Sequence, residues 1–225
     1  MPITDRLEEN PLRKKLIHHP FFKEVKTAEL TRDQVGIFLG QWWHPLHYFP
    51  NFLSRAIDAV PVLEMKTAFC KILNQELGEG DPARAHERLY ITTMAAAGFD
   101  RATVAEAAPF EETRRMVQRY KEASAERLSA LGFVYGTEVA DLAMVAGMGV
   151  AVRRVSGLKD LPWVDIHIQQ EPDHVEQASE ALEANFSEAE VQAIEASAEE
   201  MWSLWTGFFD RLQQVMFEAP VAVGA

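Results

Sequence analysis

Helical signals fill this chain and strand signals are almost missing, which leaves few folds open to it. No run of β-branched residues alternates with polar ones, and neither Asn-Gly nor Asp-Gly occurs to turn a hairpin. Apolar residues instead return every three or four positions, the spacing of one helical face. The pattern predicts helices over about 8–19, ended by Pro20, and from Thr31 toward Pro45. Thr31 with Gln34 there forms a capping-box pattern. Further helices are expected over about 51–59, 61–77, 82–97, 101–106 and 110–131, and from a cap at Thr137 to about 155. Two more cover about 163–184 and, opened by Ser187 with Glu190, the stretch to about Glu218. No Gly/Ser-rich linker, internal repeat or shift in composition divides them, so residues 1–225 read as a single all-α, bundle-like domain.

Composition narrows the function classes. A hydrophobic share of 48% can supply a full core. The net charge of −12 argues against partners that are themselves anionic, so neither nucleic acid nor a membrane surface is expected. No stretch of about 18 uninterrupted apolar residues predicts a membrane span. Cys70, the single cysteine, rules out an internal disulfide framework and a cysteine-based zinc site. The first residues lack the charged head and apolar run of a secretory signal, so a cytoplasmic protein is expected.

The chemistry gathers in Pro162-Trp-Val-Asp-Ile-His-Ile-Gln-Gln-Glu-Pro-Asp-His174. On a helix His167, Glu171 and His174 fall at about 0°, 40° and −20°, so one face carries all three. Imidazole and carboxylate together suit a borderline transition metal. A solvated helix face is the bland alternative for this triplet alone. A second cluster, Glu76, Glu79 and His86, lies in Asn74-Gln-Glu-Leu-Gly-Glu-Gly-Asp-Pro-Ala-Arg-Ala-His86. Gly78, Gly80 and Pro82 interrupt any helix there, and spacing leaves the two glutamates tied. Glu138 precedes a strongly apolar run. A position in a first helical turn would explain it by the dipole. A carboxylate pointing inward would instead need a partner, because an unpaired buried charge costs several kcal/mol.

The remaining histidines have local explanations. His18 and His19 end a basic, exposed-looking helix, and His44 and His47 belong to the aromatic run Gln41-Trp-Trp-His-Pro-Leu-His-Tyr-Phe-Pro50. Trp42, Trp43, His47, Tyr48 and Phe49 are candidate pocket walls. Arg153 and Arg154 could meet a substrate carboxylate, or simply suit a helix C-terminus.

The run Glu76-Leu-Gly-Glu-Gly-Asp-Pro-x-x-x-His86, a mid-chain helical Glu138, and His167-x-x-x-Glu171-x-x-His174 together resemble the heme-oxygenase-like diiron oxidases and oxygenases. That group shares its all-α fold with heme oxygenase, the TenA-type thiaminases and the pyrroloquinoline quinone synthesis oxidase. The resemblance spans about residues 10–215. It implies a heme-oxygenase-like bundle with Glu76, His86, Glu138, His167, Glu171 and His174 as metal ligands, and it favours Glu76 over Glu79. It further implies two Fe(II) per chain, O2 and a small amine, amino acid or related metabolite as substrates, oxidation or N-oxygenation as the reaction, and a homodimer as a possible assembly.

Two departures from the family pattern stand out. Position 171 is Glu where the family usually has Asp, and Pro172 follows it, so a kink or local disorder is expected there. The rival readings are a cofactorless oxidase, a TenA-type thiaminase with Cys70 as nucleophile, and a helical interaction protein. Cys70 is expected to lie in an apolar helix and to be inert.

Overall fold

The protein, seen here as a computed structural model, is described over residues 2–218. Its elements are α1 (Ile3–Glu8), α2 (Pro11–Ile17), α3 (Pro20–Thr27), α4 (Arg32–Ala59) and α5 (Leu63–Glu76). A short 3-10 turn, Pro82–Arg84, leads into α6 (His86–Ala96), α7 (Arg101–Ala105) and α8 (Glu111–Ala123). Then come α9 (Arg127–Ser156), α10 (Pro162–Glu180) and α11 (Glu188–Gln213), which ends in a π-helical turn, Gln214–Glu218. No strand occurs among the described residues, so the all-α expectation holds.

Both capping boxes form. Thr31 Oγ1 accepts from the Gln34 N–H while the Gln34 side chain accepts from the Thr31 N–H, and Ser187 and Glu190 repeat the arrangement. Each satisfies two N–H groups that a helix start would otherwise leave open.

Three expected boundaries fail. Helix α4 runs straight through Pro45 and Pro50, where two helices were predicted. Each proline costs a backbone hydrogen bond, but one side of this helix buries Val35, Phe38, Leu39, Trp42, Phe52, Leu53 and Ala56. Packing on both sides of the prolines outweighs the local preference. Thr137 is no cap either. It lies inside α9, where its hydroxyl donates to the Phe133 carbonyl, 2.9 Å, one turn back. The N-terminal segment forms three short helices rather than one. His19 caps α3 by accepting the Phe21 N–H and is buried rather than exposed, with Nε2 3.1 Å from Asp210. At Pro172, in contrast, α10 continues with the ring exposed.

Helix α9 is the axis of the molecule, and α4, α10 and α11 all pack on it. It is the one helix among the described residues long and apolar enough to cross a membrane by length and composition. However, 72% of its apolar window is buried inside the protein, as befits a core helix. Gly132 and Gly136 let α11 approach it. A Cβ on Gly132 would lie 2.4 Å from the Ile194 carbonyl oxygen and 2.6 Å from Ser197 Cβ. Gly132→Val is therefore expected to cost about 1–3 kcal/mol in urea unfolding, because backbone and side chain would both have to move. An unchanged midpoint would contradict this close packing. Around the axis, Phe21, Phe38, Trp42, Trp205, Phe208 and Phe209 interlock, mostly edge to face.

Candidate metal centre

Four elements deliver the site. Glu76 is the last residue of α5, His86 the first of α6, Glu138 sits mid-way along α9, and His167, Glu171 and His174 share one face of α10. All six are at least nine-tenths buried. They gather as two triads, Glu76–His86–His167 and Glu138–Glu171–His174, each with three donor atoms within 4.8 Å of one another. The structure thus brings together every residue that the family resemblance singled out.

The turn after α5 separates the two tied glutamates. Gly78 takes φ +87°, and a Cβ there would lie 2.3 Å from the Asp81 carbonyl oxygen, so only glycine fits. Glu79 follows at φ +55° and points outward to Arg84, 3.2 Å away. Glu76, before the turn, stays inside at 3.1 Å from His86 Nδ1.

Neighbouring groups fix which nitrogen of two imidazoles is free. His167 Nδ1 donates to the Trp163 carbonyl at 2.7 Å, leaving Nε2 for the site. His86 Nε2 reaches Gln170 Oε1 at 3.1 Å, leaving Nδ1 beside Glu76. In the second triad, His174 Nδ1 lies 3.3 Å from Glu138 Oε2. These separations of about 3 Å are those of adjacent ligands each roughly 2.1 Å from one ion.

Without a cation the arrangement is electrostatically uneasy. Burial opposes the charged form of Glu76, but His86 beside it, helped by His167 and His174, holds its carboxyl at about 2. Burial likewise opposes the charge on His174, but Glu138 outweighs it and lifts the imidazolium to about 9. His86 is also raised, by Glu76 against its burial. His167 falls to about 3 through burial and the nearby His86. Glu171 is pushed well up by burial and then by Asp141 and Glu138. Glu138 Oε1 is buried with no protein hydrogen-bond partner, and the buried carboxyl of Glu171 has only another acid, Asp141, beside it. Carboxylate oxygens this deep are normally satisfied, and bound cations would satisfy them. The donor set of four imidazole- or carboxylate-bearing helices therefore fits iron, on residues of this chain alone.

One residue escaped the sequence reading. Asp141, one turn beyond Glu138 on α9, lines the same cavity and faces Glu171, and its carboxyl is pushed up by burial and by Glu138. The signal was present: two carboxylates three residues apart inside an apolar run share a helix face. Glu138 itself is far from any helix start, so the dipole explanation for it falls.

Other candidates move away. His44 pairs with the Ala107 carbonyl and His47 with Glu87. Arg153 binds the Lys159 carbonyl and Asp165, and Arg154 the carbonyls of Val25 and Ala28, so neither faces the centre. Of the aromatic run, Trp42 and Phe49 wall a small cavity of about 40 Å3 beside the triads, whereas His47 and Tyr48 line a separate surface cleft. Cys70 is exposed on α5, not buried as expected, and does not line the cavity.

A long central helix walled by helices that bury histidines and carboxylates defines the class: a heme-oxygenase-like fold. A CADD-like protein of unknown function from Nostoc punctiforme superposes with a TM-score of 0.80 at 13% identity, over 95% of this chain and 96% of the other. A domain of unknown function with a heme oxygenase-like fold from Shewanella denitrificans gives 0.76 at 18%, over 99% and 97%. A TenA homologue from Pseudomonas syringae pv. tomato gives 0.76 at 14%, over 94% and 93%. No curated protein matches the sequence. The model of one family does match, over residues 37–206, and the chain belongs to that family, the iron-containing redox enzymes.

Proposed function

We propose that this protein is an Fe(II)- and O2-dependent oxidase or N-oxygenase with two irons per chain, acting on a small amine, amino acid or related metabolite. The observation that carries the reading is the pair of buried His/Glu triads, in the second of which Glu138 Oε1 lacks a protein partner and Glu171 faces the carboxyl of Asp141. Membership of the iron-containing redox enzymes supports iron as the metal.

Glu76, His86 and His167 would hold one ion, and Glu138, Glu171 and His174 the other. Ferrous iron, if bound there, would supply the electrons for reducing O2. The chain's own contribution is positional and dielectric. The Trp163 carbonyl and Gln170 orient two of the imidazoles so that a fixed nitrogen faces inward. Trp42, Phe49, Trp163 and Trp205 exclude water from the space next to the ligands. A substrate amine entering that space would meet carboxylates rather than cations. A thiaminase reading would need a cysteine at this cavity, and Cys70 is elsewhere.

Anaerobic titration with Fe(II), followed by metal analysis and exposure to O2, tests the proposal. The expected result is about two irons per chain and O2 consumption by the ferrous protein. Absence of stoichiometric binding would overturn it, as would a His174→Ala variant that binds iron unchanged.

A further inference from the structure

Three acids meet at one corner of the metal centre, and only two of them belong to a triad. Asp141 lies one turn beyond Glu138 on α9, lines the same cavity, and faces Glu171 where α9 and α10 pack together. Its carboxyl also feels the charges of Glu138, Glu76 and His174, so the acid group itself stands among the candidate ligands. The stretch that carries it, Ala140-Asp-Leu-Ala-Met-Val145, is otherwise apolar. A neutral side chain would suit such a helix better, because an acid crowded by two others in a buried site costs stability unless something compensates.

The groups around Asp141 point to a cation as the compensation. Glu138 is 3% and His174 2% exposed, and Glu138 Oε1 and His174 Nε2 have no partner in the protein. Among the described residues lining the cavity there is no lysine or arginine to neutralise the acids. Glu76, Glu138 and Glu171 bring three negative charges to the two triads, and two divalent ions would leave one positive charge uncompensated in a buried site. Asp141 brings the fourth negative charge and closes the balance.

We propose that Asp141 is a further carboxylate donor to the ion held by Glu138, Glu171 and His174. The inference rests on the iron reading for the presence of that ion. The three triad donors already converge, so they set the position and Asp141 adds charge to it. That position then carries three carboxylates and one imidazole, whereas Glu76, His86 and His167 offer one carboxylate and two imidazoles. Affinity at a carboxylate-rich site follows the charge of its ligands.

Mn(II) alone, titrated by calorimetry into the full chain at pH 8, tests this through Asp141→Asn, which keeps the shape and removes the charge. The wild type is expected to take up about two ions. The variant is expected to bind the first as before and the second at least about tenfold more weakly. A residue serving only to hold Glu171 in place would be replaced by asparagine, which keeps a hydrogen bond, at little cost to the ion. Asp141→Ser provides the same comparison should Asp141→Asn fold poorly by circular dichroism. A crystal structure of the Mn(II)-loaded wild type is expected to place an Asp141 oxygen on the second ion. A second ion bound without that oxygen, or bound equally well by a folded variant, would overturn the role of Asp141 alone. A wild type that takes up no second ion would overturn it together with the two-iron reading.

Discussion

Metal uptake by this protein is expected to release protons and to weaken by at least about 100-fold between pH 8 and pH 6. The sign follows from which groups hold protons before the ion arrives. Burial disfavours the charged imidazole of His174, but Glu138 outweighs burial and keeps it protonated up to about 9. Glu76 raises His86 in the same sense, and burial, then Asp141 and Glu138, raise Glu171. These protons must leave before the donor atoms can bind a cation. His167, held down to about 3, and Glu76, held down to about 2, are already in their ligating forms at neutral pH and contribute nothing to the slope. His174 alone displaces one proton throughout this range, which is tenfold in affinity per pH unit. His86 and Glu171 steepen the dependence further. Calorimetric titration with Mn(II) or anaerobic Fe(II) in buffers of different ionisation enthalpy reads the proton count directly. A flat affinity profile with no proton release would show that the two triads do not bind the ion.

The fold class was legible because helix information in this chain is local: three-to-four-residue periodicity, and caps at Thr31 and Ser187 that form as their spacing implies. Its errors were places where packing overrules local preference. Pro45 and Pro50 look like stops, yet the apolar residues on either side of them bury together and carry α4 through. Thr137 looks like a cap, but the run from Ala130 to Ala140 is buried within α9, and the hydroxyl bonds back along the helix instead. Of the six candidate ligands, spacing alone aligned only His167, Glu171 and His174 on one helical face; Glu76, His86 and Glu138 were singled out by the family resemblance. Which of Glu76 and Glu79 turns inward depends on backbone at positive φ around Gly78, and periodicity does not encode that. The burial of His19 and the exposure of Cys70 are set by which neighbouring helix covers each face, a long-range property.

Glu171 is where the conflict between stability and metal binding is sharpest, and Glu171→Leu is expected to separate the two. This carboxyl is 2% exposed, and its neighbours are the acids Asp141 and Glu138, which with burial raise its proton affinity. Its proton affinity in the folded state is above the ordinary carboxylate value, so the folded chain binds more protons than the unfolded one. Stability therefore declines as pH rises from about 4.5 through the raised folded value, and levels off only above it. Leucine has similar volume and removes both the desolvation cost and the repulsion on Asp141. Removing one of three crowded acids relieves their mutual repulsion and the cost of burying the group, and a chain of this length gains roughly 2–4 °C in Tm for each kcal/mol. The same change deletes a ligand from the Glu138–Glu171–His174 triad, so the variant is expected to bind about one metal per chain rather than about two and to lose O2 consumption. Added metal should then stabilise the wild type by about 4 kcal/mol at a thousandfold excess over Kd, raising its Tm, and the variant by much less. Thermal melts at pH 8, with and without Mn(II), distinguish the cases: a metal-free Glu171→Leu protein that melts below the wild type would show that Glu171 is satisfied structurally and is not held in readiness for a cation.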